Sequence, residues 1–190
     1  MGDGLADEAQ RARFERLVLP HADAAYSLAF WLMRDAAQAE DAVQEAYLRA
    51  FRFFAAFRGE NARPWLLGIV RNTCYDLLAA ERRSGCSEEF DEFNHGAEAI
   101  AQGAVVSFPV NPEAAAIENA EHELLRRSLR ALPVEFREAL VLREFHECSY
   151  REIAAIAGVP LGTVMSRLSR GRRLLLRALS VPCKDEDTGT

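Results

Sequence analysis

The stretch SYREIAAIAGVPLGTVMSRLSRGRRLL, residues 149–175, admits few folds. Ser149 and Glu152 form the S-x-x-E pattern in which each side chain satisfies a free backbone N–H at a helix start, so a helix is expected from Tyr150. Ile153, Ala154 and Ala157 face inward, Gly158 can take the left-handed conformation that ends a helix, and Pro160 suits the first turn of the next. The unit is a helix-turn-helix. In its second helix Leu161, Val164, Leu168 and Leu175 share one face, while Thr163, Ser166, Arg170 and Arg173 recur on the opposite one. A helix fits the DNA major groove, arginine pairs bidentately with guanine, and small Thr and Ser side chains permit close approach. Arg167 and Arg172 fall on the flanks, where phosphates lie.

That basic helix belongs to a chain with a net charge of -6, and the mapping of charge along the sequence resolves the conflict. Residues 49–83 hold seven arginines against Glu60, Asp76 and Glu81, and residues 149–180 hold six against Glu152 alone. Between them, residues 84–123 contain nine acids and no lysine or arginine. Two basic modules therefore flank an acidic connector. The connector lacks sustained periodicity and carries Gly96, Gly103, Pro109 and Pro112 as breakers, so residues 85–118 read as a flexible linker. Phe90, Phe93 and Phe108 suggest that it lies against something.

The first module reads as helical throughout. Phe14, Leu17, Val18, His21, Ala25, Leu28 and Leu32 recur at the spacing of one helix face, with Pro20 marking a break. Asp35 can cap the next helix, whose buried stripe is Val43, Tyr47, Ala50, Phe51 and Phe54. Asp41, Gln44, Glu45, Leu48 and Arg52 lie on its other side, where Leu48 within an acidic patch points to a partner. Beyond a loop with Gly59 and Asn61, Pro64 suits the first turn of a helix with Leu66, Ile69, Val70, Thr73 and Leu77 inside. Arg71, Asn72, Tyr75, Arg82 and Arg83 are left to face outward. Arginines interleaved with Phe57, Trp65 and Tyr75 are what single-stranded DNA binding needs, because cations track phosphates while rings stack on unpaired bases. A tryptophan near a helix start is, equally, a common core anchor.

The fold class expected is all-α: two small helical domains, residues 1–84 and 119–180, joined by the linker and followed by a tail at 181–190. No run of about 18 apolar residues occurs and the N-terminus is polar, so a cytoplasmic protein without membrane insertion is expected. Cys74, Cys86, Cys148 and Cys183 include no C-x-x-C pair and read as reduced thiols. His21, His95, His122 and His146 show no metal-ligand spacing, and His146-Glu147-Cys148 reads as a loop. There is no phosphate-binding glycine loop and no nucleophile motif, so neither metal, cofactor nor small-molecule substrate is expected, and the chain does not read as an enzyme.

DAAQAEDAVQEAYLRAFRFFAAFRG, then ARPWLLGIVRNTCYDLL, and much later LPVEFREALVLREFHECSYREIAAIAGVPLGTVMSRLSRGRRLL together resemble a bacterial RNA polymerase sigma factor of the extracytoplasmic-function type. The resemblance spans nearly the whole chain apart from the connector and the ends. It implies that the first domain binds core RNA polymerase through Asp41, Gln44, Glu45 and Leu48. Loop residues Glu60, Asn61 and Arg63, with Trp65, Arg71 and Asn72, would then capture an unpaired base of the single-stranded minus-10 element. The second domain would read the duplex minus-35 element through Ser166, Ser169 and Arg170, beside Thr163, Met165, Arg167 and Arg173. Met165 departs from the basic residue frequent at that place. The resemblance also implies control by an anti-sigma factor. Promoter elements separated by roughly 25 base pairs lie about 85 Å apart, whereas a free coil of the linker's length spans only about 30 Å. The tether must be held open, which the family does by threading it through the polymerase. The competing reading from the residues alone is a stand-alone helix-turn-helix regulator.

Overall fold

The structure, a computed structural model, describes residues 3–59, 61–83 and 112–180. Every regular element among them is helical: α1 (Asp3–Val18), α2 (Ala22–Met33), α3 (Ala36–Phe53), α4 (Ala62–Arg83), α5 (Pro112–Ala131), α6 (Val134–Leu140), α7 (Tyr150–Ala157) and α8 (Leu161–Ser180). The elements α1–α4 and α5–α8 make the two helical domains. The linker as far as residue 111, the tail and Glu60 lie outside the described residues.

Pro20 separates α1 from α2 through a single 3-10 turn, Leu19–His21. Six successive residues of α2, Leu28 to Met33, are buried. A helix apolar all round belongs in the centre of a fold, and α2 packs against α3, α4 and α6. Asp35 caps α3, its Oδ1 accepting from the Gln38 N–H at 2.8 Å. The buried stripe of α3 differs from the expected one: Ala39, Ala42, Ala46 and Ala50 line the inside, with Phe54 just beyond, while Val43, Tyr47 and Phe51 are only half-buried. Alanine lets helix backbones approach closely, so the larger residues are displaced to the seam's edges. Likewise in α4 the innermost residues are Leu66, Leu67, Val70, Thr73 and Cys74, with Ile69 and Leu77 at the margin.

The second domain opens with α5, which begins at Pro112 and so extends into the stretch expected to be linker. Proline suits the first helical position, and Glu113 to Ala116 are good helix formers. After Pro133, α6 passes directly into one π turn, Val141–Phe145. The helix-turn-helix is then α7 and α8. Ser149 accepts from the Glu152 N–H at 3.2 Å, and the Ser149 N–H donates to Glu152 Oε2 at 2.8 Å, completing the capping box. Gly158, at φ 64°, ends α7 as expected. Pro160 stands just before α8 rather than within it, its carbonyl accepting from Thr163 at 2.9 Å. Val164, Leu168 and Gly171 form the buried line of α8, whereas Leu161 is 42 % exposed at its start. At Gly171 an added Cβ would lie 3.2 Å from Leu140 Cδ1, so glycine there lets α8 close onto α6.

The two domains share one continuous core. Trp31 of α2 meets Phe145 at 5.4 Å between ring centroids, and the Arg130 guanidinium lies 5.3 Å from the Phe30 ring. Arg137, buried in α6, donates from Nη1 to the carbonyls of Arg130 and Leu132 and from Nη2 to Leu32 in α2.

Candidate nucleic-acid and polymerase interface

Three surfaces carry the expected site residues. On α3, Asp41, Gln44 and Leu48 are exposed, Leu48 by 57 %. Glu45 is half-buried and its carboxylate accepts from Arg49 Nε at 2.8 Å, while Arg49 reaches Asp76 of α4 at 2.6 Å. This face thus keeps Asp41, Gln44 and Leu48 available, with Glu45 held back in an ion-pair chain. Phe53, 63 % exposed at the end of α3, adds an apolar residue that the sequence reading passed over.

The second surface is α4 with the loop before it. Asn61 precedes the helix and accepts from the Arg63 N–H at 3.3 Å. Trp65 packs 4.7 Å from Phe57 and 6.1 Å from Phe54, half-buried in an aromatic cluster, which is the core-anchor arrangement. Asn72 is exposed, its Oδ1 accepting from Arg71 Nη1 at 3.1 Å. Arg71 and Tyr75 do not face outward as expected. Arg71 Nε donates to Glu138 Oε1 at 2.7 Å and Tyr75 Oη to Glu138 Oε2 at 2.9 Å, with the guanidinium 4.0 Å from the Tyr75 ring. Burial opposes the charge on Arg71, but its hydrogen bond and attraction to Glu138 outweigh this and raise its pKa. Arg63 is also engaged, Nη2 donating to the His146 carbonyl at 2.7 Å. The physical reason is the second domain, which packs on this side of α4 and supplies buried acceptors that a one-dimensional pattern cannot reveal.

The third surface is the outer face of α8. Ser166, Ser169, Arg170 and Arg173 are exposed, Thr163 is half-buried, and Met165 is 52 % exposed beside them. Ser166 Oγ donates to the Thr163 carbonyl at 2.9 Å. The flanking arginines are committed to acids: Arg172 lies 2.8 Å from Glu144, and Arg167 lies 3.8 Å from Glu138. Arg170 and Arg173, both exposed, take part in none of the ion pairs formed among the described residues.

Glu138 was missed by the sequence reading. Glu138 follows the equally buried Arg137, and two adjacent charged residues on a short helix read as solvated. Burial pushes the Cys74 thiol up to about 12, making it an inert packing group. No group of His, Cys, Asp and Glu among the described residues could hold a metal ion, and none of the described helices is long and apolar enough to cross a membrane.

His146 provides a pH test of the domain junction. The ring is 5 % exposed, and burial, helped by nearby Arg63, lowers its pKa from 6.5 to about 4. The unfolded chain takes up a proton below the ordinary histidine value while the folded chain resists, so this stability contribution is present above pH 6.5 and is lost as pH falls toward 4. Denaturant titration is expected to show about 2 kcal/mol less stability at pH 5 than at pH 7.5 from this residue. His146→Phe should flatten that part of the profile.

Comparison with known proteins agrees in extent and order. "Sigma-70 region 2" matches residues 17–84 and "Sigma-70, region 4" matches residues 122–175. The RNA polymerase sigma-H factor of Pseudomonas aeruginosa is 34 % identical over 87 % of this chain and 86 % of its own length. The ECF RNA polymerase sigma-E factor of Escherichia coli is 37 % identical over 71 % of this chain and 70 % of its own. Among solved structures, the sigma factor RpoE in complex with the anti-sigma factor NepR from Bartonella quintana aligns with a TM-score of 0.69 at 27 % identity, covering 90 % of this chain and 98 % of that one. CnrH, solved with the cytosolic domain of CnrY, shares the fold at a TM-score of 0.61 and 23 % identity. With both regions matched in order and relatives aligned along most of its length, the chain belongs to the extracytoplasmic-function RNA polymerase sigma factors of the sigma-70 family.

Proposed function

We propose that this protein binds core RNA polymerase in the cytoplasm and directs it to promoters. It reads duplex DNA with α8 and stabilises an unpaired strand with α4, without bond chemistry of its own. The observation that carries the reading is the outer face of α8, where Ser166, Ser169, Arg170 and Arg173 stand exposed on a helix fixed by a complete capping box and turn. Arginine and small hydroxyl side chains on one helix face suit base edges in the major groove. The face of α3 bearing Asp41, Gln44 and Leu48 is the polymerase-docking surface, since an exposed leucine among acids fits a protein partner better than DNA. Glu60, Asn61, Arg63, Trp65, Arg71 and Asn72 form the minus-10 capture site, with Trp65 shaping the loop from within rather than stacking on a base. The region as far as residue 84 and the region from 119 to 180 act as separate DNA-binding units. An anti-sigma factor is the regulatory partner, as for the similar RpoE solved with NepR.

The test is transcription from a promoter library with core polymerase and Arg170→Ala. Loss of one bidentate arginine contact is expected to reduce use of preferred promoters about tenfold and relax the sequence requirement at one upstream position. Unchanged upstream preference would remove α8 from the reading role.

A further inference from the structure

Unpaired DNA is held by rings as well as by cations, because a base that leaves its own stack gains from a flat apolar surface that replaces it. The rings expected to supply one on α4 are engaged elsewhere. Trp65 packs into the cluster with Phe54 and Phe57, and Tyr75 donates to Glu138. Among the described residues of the first domain a single aromatic side chain is exposed: Phe53, by 63 %, at the last position of α3.

Its surroundings fit nucleic acid. Residues 52–59, RFFAAFRG, contain two arginines and no acid. Arg52, Ala55, Ala56, Arg58 and Gly59 are exposed with Phe53, so cations flank the ring and only small side chains lie open between them. Arg58 Nη1 donates to the Ala55 carbonyl, which keeps its guanidinium on this ledge. The next residue, Phe54, is fully buried against Phe14, Phe57 and Trp65, so the backbone under Phe53 is fixed. A platform set in place beforehand loses little entropy when a base arrives. The ledge runs directly into the loop that carries Asn61 and Arg63.

Placement on α3 separates Phe53 from the docking face. It follows Leu48 by five residues, which is about 140° around a helix. It stands instead one turn beyond Arg49, whose guanidinium reaches Asp76 of α4 at 2.6 Å. Gln38, near the start of α3, bonds to Glu81, near the end of α4, at 2.7 Å. The two helices therefore run antiparallel, and the end of α3 lies toward the earlier turns of α4, where Asn72 is exposed. Leu48 stands among acids and Phe53 among arginines, and a phosphate backbone is drawn to the second.

We infer that Phe53 stacks on an unpaired base of the melted promoter strand, with Arg52 and Arg58 on the adjoining phosphates. The identity of that strand as the minus-10 element rests on the function proposed above.

The experiment uses the full chain with purified core polymerase on the strongest promoter recovered from a library. It compares wild type, Phe53→Ala, Phe53→Trp and the control Leu19→Ala, which removes another exposed apolar side chain, in the turn between α1 and α2. Permanganate reactivity of unpaired thymines reads opening, and anisotropy of the labelled protein titrated with core reads assembly. Phe53→Ala should assemble as wild type does and hold about tenfold less open complex, the loss of one stacked base. Phe53→Trp and Leu19→Ala should open the promoter as wild type does. An abasic site stepped along the unpaired strand should weaken wild type at one position where it leaves Phe53→Ala unchanged, as a shared contact requires. Undiminished opening by Phe53→Ala would overturn the stacking, as would equal sensitivity of both proteins at every abasic position. A loss of opening matched by weaker assembly would also overturn it and make Phe53 a polymerase contact. A wild type that opens no promoter defeats the function proposed above and the stacking with it, whereas opening by wild type and Phe53→Ala alike defeats the stacking alone.

Discussion

Arg137→Ala is expected to lower stability by roughly 3–5 kcal/mol, a large part of what a domain of this size has. The Arg137 guanidinium is buried and reaches three carbonyls: Arg130 at 2.8 Å, Leu132 at 2.9 Å and Leu32 at 3.3 Å. Those oxygens lie at the C-terminal ends of α5 and α2, where helix carbonyls lack partners and carry partial negative charge. One cation therefore caps two helices from different domains. Burial lowers its pKa to about 10, still well above neutrality, so the charge is retained in the fold. Truncation to alanine leaves the acceptors dry and opens a cavity. Urea denaturation should show a marked fall in midpoint, and Arg137→Lys should recover only part of the loss because an ammonium cannot span all three oxygens. A change below 1 kcal/mol for Arg137→Ala would contradict this role.

Phe54→Ala is the second large effect, about 3–5 kcal/mol, and its consequence falls on the loop before α4, the minus-10 capture site proposed above. Phe54 is fully buried, with ring centroids 5.1 Å from Phe14, 5.9 Å from Phe57 and 6.1 Å from Trp65, and the Arg13 guanidinium 5.1 Å from its own. It joins α1 to the segment that leads into α4. Arg13 also donates to the Phe57 carbonyl at 3.3 Å, so the approach to Asn61 is fixed from both sides. Removing the ring should loosen this segment before it melts the domain, visible as faster amide exchange at residues 57–59. Protection unchanged from wild type would place the segment's order elsewhere.

The helix-turn-helix was the most legible part of the chain, because the capping box at Ser149 and Glu152 and the glycine at 158 are local instructions that need no tertiary partner. The outward face of α8 followed from helical spacing alone, and its exposed Ser166, Arg170 and Arg173 agree with that pattern. Less visible was everything decided by contact between domains. Arg71 and Tyr75 look free on a helical wheel and become bound only because Glu138, 67 residues from Arg71 in the chain, is brought beside them. The alanine seam of α3 was misread for a related reason. Periodicity weights large apolar residues, while close helix packing selects small ones. Pro112 was taken as a breaker, although proline also begins helices, as it does at α5.

The central claim is that this chain confers promoter-directed initiation on a polymerase. The most direct measurement is start-site mapping in transcription reconstituted from purified bacterial core polymerase and a promoter library, with and without the protein. Defined start sites that appear only with the protein are the predicted result. No defined start sites, combined with tight binding of the protein alone to duplex DNA, would contradict it and make the chain a stand-alone regulator.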